Sequence, residues 1–222
     1  QLQDGIHILT LTNAENGGDN RLTTAVVGEY LAALDTVEQY QGNTSLLLTC
    51  THKKTFSTGI NLDWLIQLDD AGRREFTTAF ETLLCRLALL NVPTVACING
   101  NAYAGGAIIA SAADFRLMRS DRGRYCYPEV DIKIPFNQVS SDIGQLLPNQ
   151  QAVKNMMLTG VAYTGLECAE LQIVDAIYPQ DQLQAEALSL AKTLASKDRD
   201  TYCKNRNLMR PEIVAHLHRL TQ

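Results

Sequence analysis

The sequence predicts an α/β fold with mostly parallel strand pairing. Short apolar runs such as "SLLLTC" and "VACI" alternate with long stretches of helical hydrophobic spacing, and helices between strands make the crossovers that parallel pairing needs. Two small-residue loops, 55–63 and 99–106, each follow a buried run. In such folds ligands gather where loops leave the carboxyl ends of strands.

Residues 5–11, "GIHILTL", alternate as an edge or half-buried strand. Residues 22–40 place Leu22, Val26, Val27, Tyr30, Leu31, Leu34 and Val37 at helical spacing. "SLLLTC" is a continuous apolar run, hence a buried strand. A second long helix aligns Phe76, Phe80, Leu83, Leu84, Leu87 and Leu90 as a core stripe and stops before Pro93. "VACI" is another buried strand, followed by the glycine loop and a short apolar helix. "FRLMR" reads as a strand, "DRGR" as a turn, and "YCYPEV" starts extended. Residues 148–159 form a helix closed by Gly160 in a left-handed cap. "TGLE" has capping-box spacing, and "IVDAIYP" is the last strand. Residues 181–197 are an amphipathic helix, and helical sequence broken at Pro211 runs to the end, a tail expected to pack on a neighbour.

With 222 residues, one sizeable core and a terminal appendage are expected. At 45% hydrophobic and 19% charged residues the composition is that of a soluble globular chain. No run approaches the ~18 apolar residues that span a bilayer. A net charge of −5, with no basic block longer than "HKK", argues against nucleic acid. The chain opens on a strand pattern rather than a signal peptide, and Gln1 leads us to expect further sequence ahead of it. Six dispersed cysteines without a C-x-x-C read as buried thiols in a reducing compartment, expected to be cytoplasmic with an organellar origin left open. The ending "HRLTQ" is not a peroxisomal S-K-L.

The glycine pair in "NGNAYAGGAIIAS" has three readings. Gly100 to Gly105 has P-loop spacing, but Gly106 and Ala107 stand where a P-loop needs Lys and Ser/Thr, so a nucleotide site is rejected. Plain turn chemistry at a strand-to-helix junction is the second. The third is a backbone oxyanion hole, because glycine admits close approach and a helix start leaves N–H groups without partners. "FSTGINL" could supply an opposing N–H. Ser57 as a nucleophile fails: Thr55 occupies the first glycine position of G-x-S-x-G, and the four histidines (7, 52, 216, 218) lie outside both loops.

Taken with "MMLTGVAYTGLECAELQIVDAIYP", the stretches "FSTGINLDWL" and "CINGNAYAGGAIIAS" make the chain resemble the crotonase, or enoyl-CoA hydratase/isomerase, superfamily from "GIHILTL" to the helix at 181–197. The resemblance implies a ClpP/crotonase-like spiral of β-β-α repeats, with a core over 1–180 and a C-terminal helical trimerisation region over 181–222. It implies an acyl-CoA substrate, no metal or organic cofactor, and a homotrimer or dimer of trimers. It places the thioester oxygen between the backbone N–H groups of Ile60 and Gly105, with Ser57, Thr58, Gly59 and Gly106 around them. Ala104 replaces the first glycine of the usual triplet.

Family hydratases carry two glutamates. One position is Ile108 here; the other is present as Glu129 in "YCYPEV". A lone acid in an apolar pocket suits a 3-enoyl-CoA to 2-enoyl-CoA isomerase, in which one group moves one proton. The alternatives are a hydratase or acyl-CoA hydrolase of the same fold, and a catalytically silent acyl-CoA-binding subunit. Lys53 and Lys54 would meet CoA phosphates or adenine, or are simply solvated. Trp64 and Leu65 would line the acyl pocket or pack in the core. Asn137 is a pocket residue or a helix cap.

Overall fold

The computed structural model describes residues 1–12 and 19–222. The chain opens with β1 (Leu2–Gln3) and β2 (Ile6–Leu11), an antiparallel pair. Asp4 and Gly5 turn between them, both at positive φ (51° and 78°), as a two-residue hairpin requires. The helix expected over 22–40 is α1 (Thr24–Glu38), capped by the Thr23 hydroxyl. Leu22 is drawn instead into a bridge with Ile60.

The chain then winds as a spiral. β3 (Leu46–Cys50) lies in a large sheet and β4 (Thr55–Ser57) in a small one, before α2 (Leu62–Leu65) and α3 (Asp70–Ala88). The next turn repeats the order with β5 (Thr94–Ile98), β6 (Asn101–Tyr103) and α4 (Gly105–Ala112). A third supplies β7 (Phe115–Arg119), β8 (Arg124–Cys126), α5 (Gln138–Gly144) and α6 (Gln150–Thr159). β9 (Ala162–Thr164), α7 (Gly165–Glu170) and β10 (Ala176–Tyr178) close it. The large sheet runs β1-β2-β3-β5-β7-β10, parallel beyond its first pair. The small sheet runs β4-β6-β8-β9, antiparallel only at β8/β9. This is the β-β-α spiral that the resemblance implied.

Gly160 ends α6 at φ 66°, and Thr164 with Glu167 completes a capping box. The strand expected over 173–179 is shorter: Ile173 and Val174 are buried in a turn, and only Ala176–Tyr178 pairs with β7. All six cysteines are free thiols, five of them buried.

The main core lies between one face of the large sheet and α1, α3 and α4. The other face is covered by α8 (Gln180–Ala195), whose Leu183, Ala187, Ala191 and Leu194 pack on Leu47, Val95 and Leu117. The remaining tail, α9 (Arg199–Leu208) and α10 (Pro211–Leu220), also packs on this chain's own core. Asp114, at the mouth of β7, fastens it. Its carboxylate accepts from the Thr94 N–H (3.0 Å) and the Tyr202 hydroxyl (3.0 Å) and pairs with Arg210 (3.0 Å) and Arg206 (3.6 Å). The α10 face meets α3 and α5, where His216 and Asp142 stand 2.6 Å apart.

Removing the shared carboxylate would leave two buried guanidiniums without their anion, a loss of about 3–5 kcal/mol. Asp114→Ala is therefore expected to lower chemical-denaturation stability by that amount, and the detachment of α9 and α10 is read by hydrogen exchange.

Candidate active site

The first loop is fixed from beneath. Phe56 and Ser57 end β4 fully buried. The Ser57 hydroxyl donates to the Asn20 carbonyl (2.8 Å) and accepts the Gly59 amide (3.1 Å), while Asn20 Nδ2 donates to the Phe56 carbonyl (2.8 Å). Gly59 turns the chain at φ 80°. Leu22 then bonds on both sides of Ile60, donating to the Gly59 carbonyl (2.8 Å) and accepting from the Asn61 amide (2.9 Å). In a parallel bridge the residue between those two bonds turns its own N–H to the opposite side. The Ile60 amide thus faces away from Leu22, and it donates to no protein acceptor among the described residues.

The second loop delivers a helix N-terminus. Ala104 is held at φ 48°, an uncommon conformation for a residue with a side chain, and its N–H donates to the Cys126 carbonyl (3.1 Å). Gly105 opens α4, so its amide has no acceptor within the helix and sits at the positive end of the helix dipole. Contact between the loops explains the glycines. A Cβ on Gly59 would stand 2.5 Å from the Gly105 nitrogen, and one on Gly106 only 2.3 Å from the Ser57 carbonyl oxygen.

Both loops border one cavity of about 380 Å³, whose wall includes Thr58, Ile60, Ala104, Gly105, Ile108 and Glu129. Leu62 and Leu65, Phe76 and Phe80 of α3, and Ile134 and Phe136 make most of the lining apolar, while Arg73, Thr77, Asn137 and Ser140 add polar groups to it. Glu129 is its only carboxylate among the described residues. It is 7% exposed, and its Oε2 finds no hydrogen-bond partner among the described residues. Burial pushes this carboxyl from its ordinary 4.5 up to about 7. Ile108, one turn into α4, is buried and lines the same cavity.

A hydroxyl cluster ties the acid's segment to the donor helix. Ser111 Oγ lies 2.5 Å from the Tyr127 hydroxyl and 2.6 Å from that of Tyr125, and Tyr125 also donates to the Ala107 carbonyl (2.6 Å). All three side chains are buried. Their only sequence signal is the Tyr-x-Tyr step ahead of Pro128.

The structure brings Ile60, Gly105, Glu129, Thr58 and Ile108 onto one wall, and it moves five other expected contacts off it. Ser57 is a buttress under the first loop, and Gly59 and Gly106 are buried where the loops touch. Trp64 packs edge-on against Phe76 (5.3 Å between ring centres), the core alternative, while Leu65 takes the cavity position. Lys53 is exposed and borders a separate cleft with Asn99 and Gln184. Asn137 does both things open to it, capping α5 by accepting from Ser140 N (2.8 Å) while lining the cavity. Phe76 and Phe80, read as core stripe, also face this space.

A family model described as enoyl-CoA hydratase/isomerase matches residues 1–219. The chain belongs to that family. Enoyl-CoA delta isomerase 3 of Arabidopsis thaliana is 29% identical over 216 residues, covering 94% of this chain and 90% of its own. A human mitochondrial delta3-delta2-enoyl-CoA isomerase structure superposes with a TM-score of 0.87 at 22% identity, covering 96% of this chain and 82% of that one. An enoyl-CoA hydratase/isomerase family protein from Pseudomonas syringae gives 0.89 at 20%, over 99% and 93%. At those identities the solved structures show the shared fold, and the choice of reaction within the enoyl-CoA hydratase/isomerase family falls to the cavity.

The raised carboxyl makes stability depend on pH. Between pH 4.5 and about 7 the folded state holds a proton that the unfolded state has released, so stability falls as pH rises through that window. A displacement of this size corresponds to roughly 3 kcal/mol. Relative to Glu129→Gln, which does not titrate, the wild type should lose about that much between pH 4.5 and 7.5 in urea unfolding.

Proposed function

We propose that the protein is an isomerase that moves the double bond of a 3-enoyl-CoA to position 2. The observation that carries this reading is the single carboxylate, one oxygen of it without a hydrogen-bond partner among the described residues, in a mostly apolar cavity that Ile60 and Gly105 also line. The substrate's thioester oxygen accepts from the Ile60 and Gly105 amides. Ionised Glu129 removes a proton from C2, and the electron pair moves through the carbonyl to give a dienolate with negative charge on that oxygen. Backbone donors aimed at this oxygen stabilise the charge as it develops, without reorganising. The protonated carboxyl then delivers the same proton to C4, and the double bond settles between C2 and C3. The step is redox-neutral, and CoA enters only as part of the substrate.

The environment of Glu129 fits both halves of the cycle. A carboxyl at about 7 is ionised in a large fraction of molecules near neutrality, yet basic enough to take a carbon-bound proton. An apolar lining keeps water from quenching the dienolate. Hydration, by contrast, needs a group to activate water as well as one to protonate carbon, and Ile108 offers none.

Glu129→Gln is expected to lower kcat for 3-hexenoyl-CoA by about 10²–10⁴, with acyl-CoA binding retained. Formation of the conjugated 2-enoyl thioester, followed by ultraviolet absorbance, checks it; a silent binding subunit would show no turnover in either protein. Because the base must be ionised, wild-type kcat/KM should rise with pH and level off above about 7.

A further inference from the structure

We propose that the reaction cavity continues past a thin partition into a second apolar cavity, which takes the far end of a long acyl chain, and that Phe136 in the partition sets the accepted chain length. The inference rests on the acyl-CoA reading of the site. The second cavity, of about 520 Å³, shares Glu129, Ile134, Pro135 and Phe136 with the first and is bordered on its far side by Met157 and Leu158 of α6. One segment, 129–136, is thus the wall between two spaces.

Three features suit this wall to a chain. Glu129 must reach both C2 and C4, so the carbons beyond C4 begin beside the residue that borders both cavities. The wall is lightly held. Its backbone bonds run from Asp131 and Ile132 to the Pro128 carbonyl (2.9 and 3.1 Å) and from Ile134 to the Glu129 carbonyl (3.0 Å), all within the turn itself. Lys133 sits at φ 60° without being glycine, a strained conformation, and segments with few tertiary bonds open at low cost. Finally, the second cavity is mostly apolar, with Lys133 and Glu129 as its charged lining residues, and open: Leu158 is 66% exposed and Val130 49%. An alkyl tail matches that lining.

The test is calorimetric binding of saturated hexanoyl-CoA and tetradecanoyl-CoA to wild type, Leu158→Glu and Phe136→Ala. The readout is the ratio of the two Kd values within each protein. Each methylene taken out of water adds about fourfold in affinity, so a charge placed in the second cavity should cut the long-chain preference by about tenfold or more. Leu158 lies on an exposed helix face, so that variant keeps the fold. Phe136→Ala should raise the preference by thinning the wall. A ratio unchanged in Leu158→Glu overturns the proposal, including the case in which a second copy of the chain covers this surface. Turnover of 3-hexenoyl-CoA, measured alongside, judges the isomerase reading separately, because its failure leaves the binding ratio intact.

Discussion

Backbone contact between the two loops is the constraint on which the site depends. β4 and β6 lie side by side in the small sheet, so the chain leaves both strands at the same end. The loops beyond them must share one narrow space. Side chains are excluded there: the Gly59 and Gly105 backbones are in van der Waals contact, and Gly106 rides on the Ser57 carbonyl. Closeness of this kind brings two N–H groups from distant parts of the sequence to one cavity. Main-chain N–H groups have few conformations left to explore, so in the proposed role as oxyanion donors their placement would be fixed by folding rather than assembled when substrate arrives.

The acid is held under the opposite condition. An ionised carboxylate with a partnerless oxygen in an apolar wall destabilises the folded chain at neutral pH, and a hydrogen-bond donor beside it would relieve that. Such a donor would also return the carboxyl towards its ordinary value and make it a poorer base. The hydroxyl cluster of Ser111, Tyr125 and Tyr127 resolves the conflict by holding the segment without touching the carboxylate: its bonds end on one another and on the Ala107 carbonyl. Rigidity reaches Glu129 through the chain, and its Oε2 stays without a partner among the described residues.

The sequence discloses the large sheet and the helices well, because runs such as "SLLLTC" and the stripe from Phe76 to Leu90 are long enough to carry a period. The small sheet is different. Its strands have three residues each, too few for alternation to register, and their pairing is imposed by the spiral. β1 did leave a signal, the Asp4-Gly5 turn, which is legible only once its short partner is known to pair. At the site, the two loops and Glu129 could be read from motif and resemblance. Whether a residue such as Ser57 or Trp64 faces ligand or supports the loop could not, since that depends on which side of a loop the chain presents. The wall formed by 130–137 has no periodicity and no motif, so its place beside the acid is a product of tertiary packing alone.

The C-terminal helices belong to the same mechanical unit. α3 and α5 both line the reaction cavity, through Phe76 and Phe80 on one and Ser140 on the other, and α10 packs on both from outside. Arg210 at the start of α10 reaches Asp114 and the Ala88 carbonyl at the end of α3, while His216 reaches Asp142 on α5. Loosening α10 would therefore free two walls of the cavity together. Under the proposed isomerase reaction that matters twice: water admitted between α3 and α5 would lower the carboxyl's pKa and offer the proposed dienolate a competing proton source at the same moment. No residue of α8, α9 or α10 lines the cavity, yet α10 backs two of the helices that do.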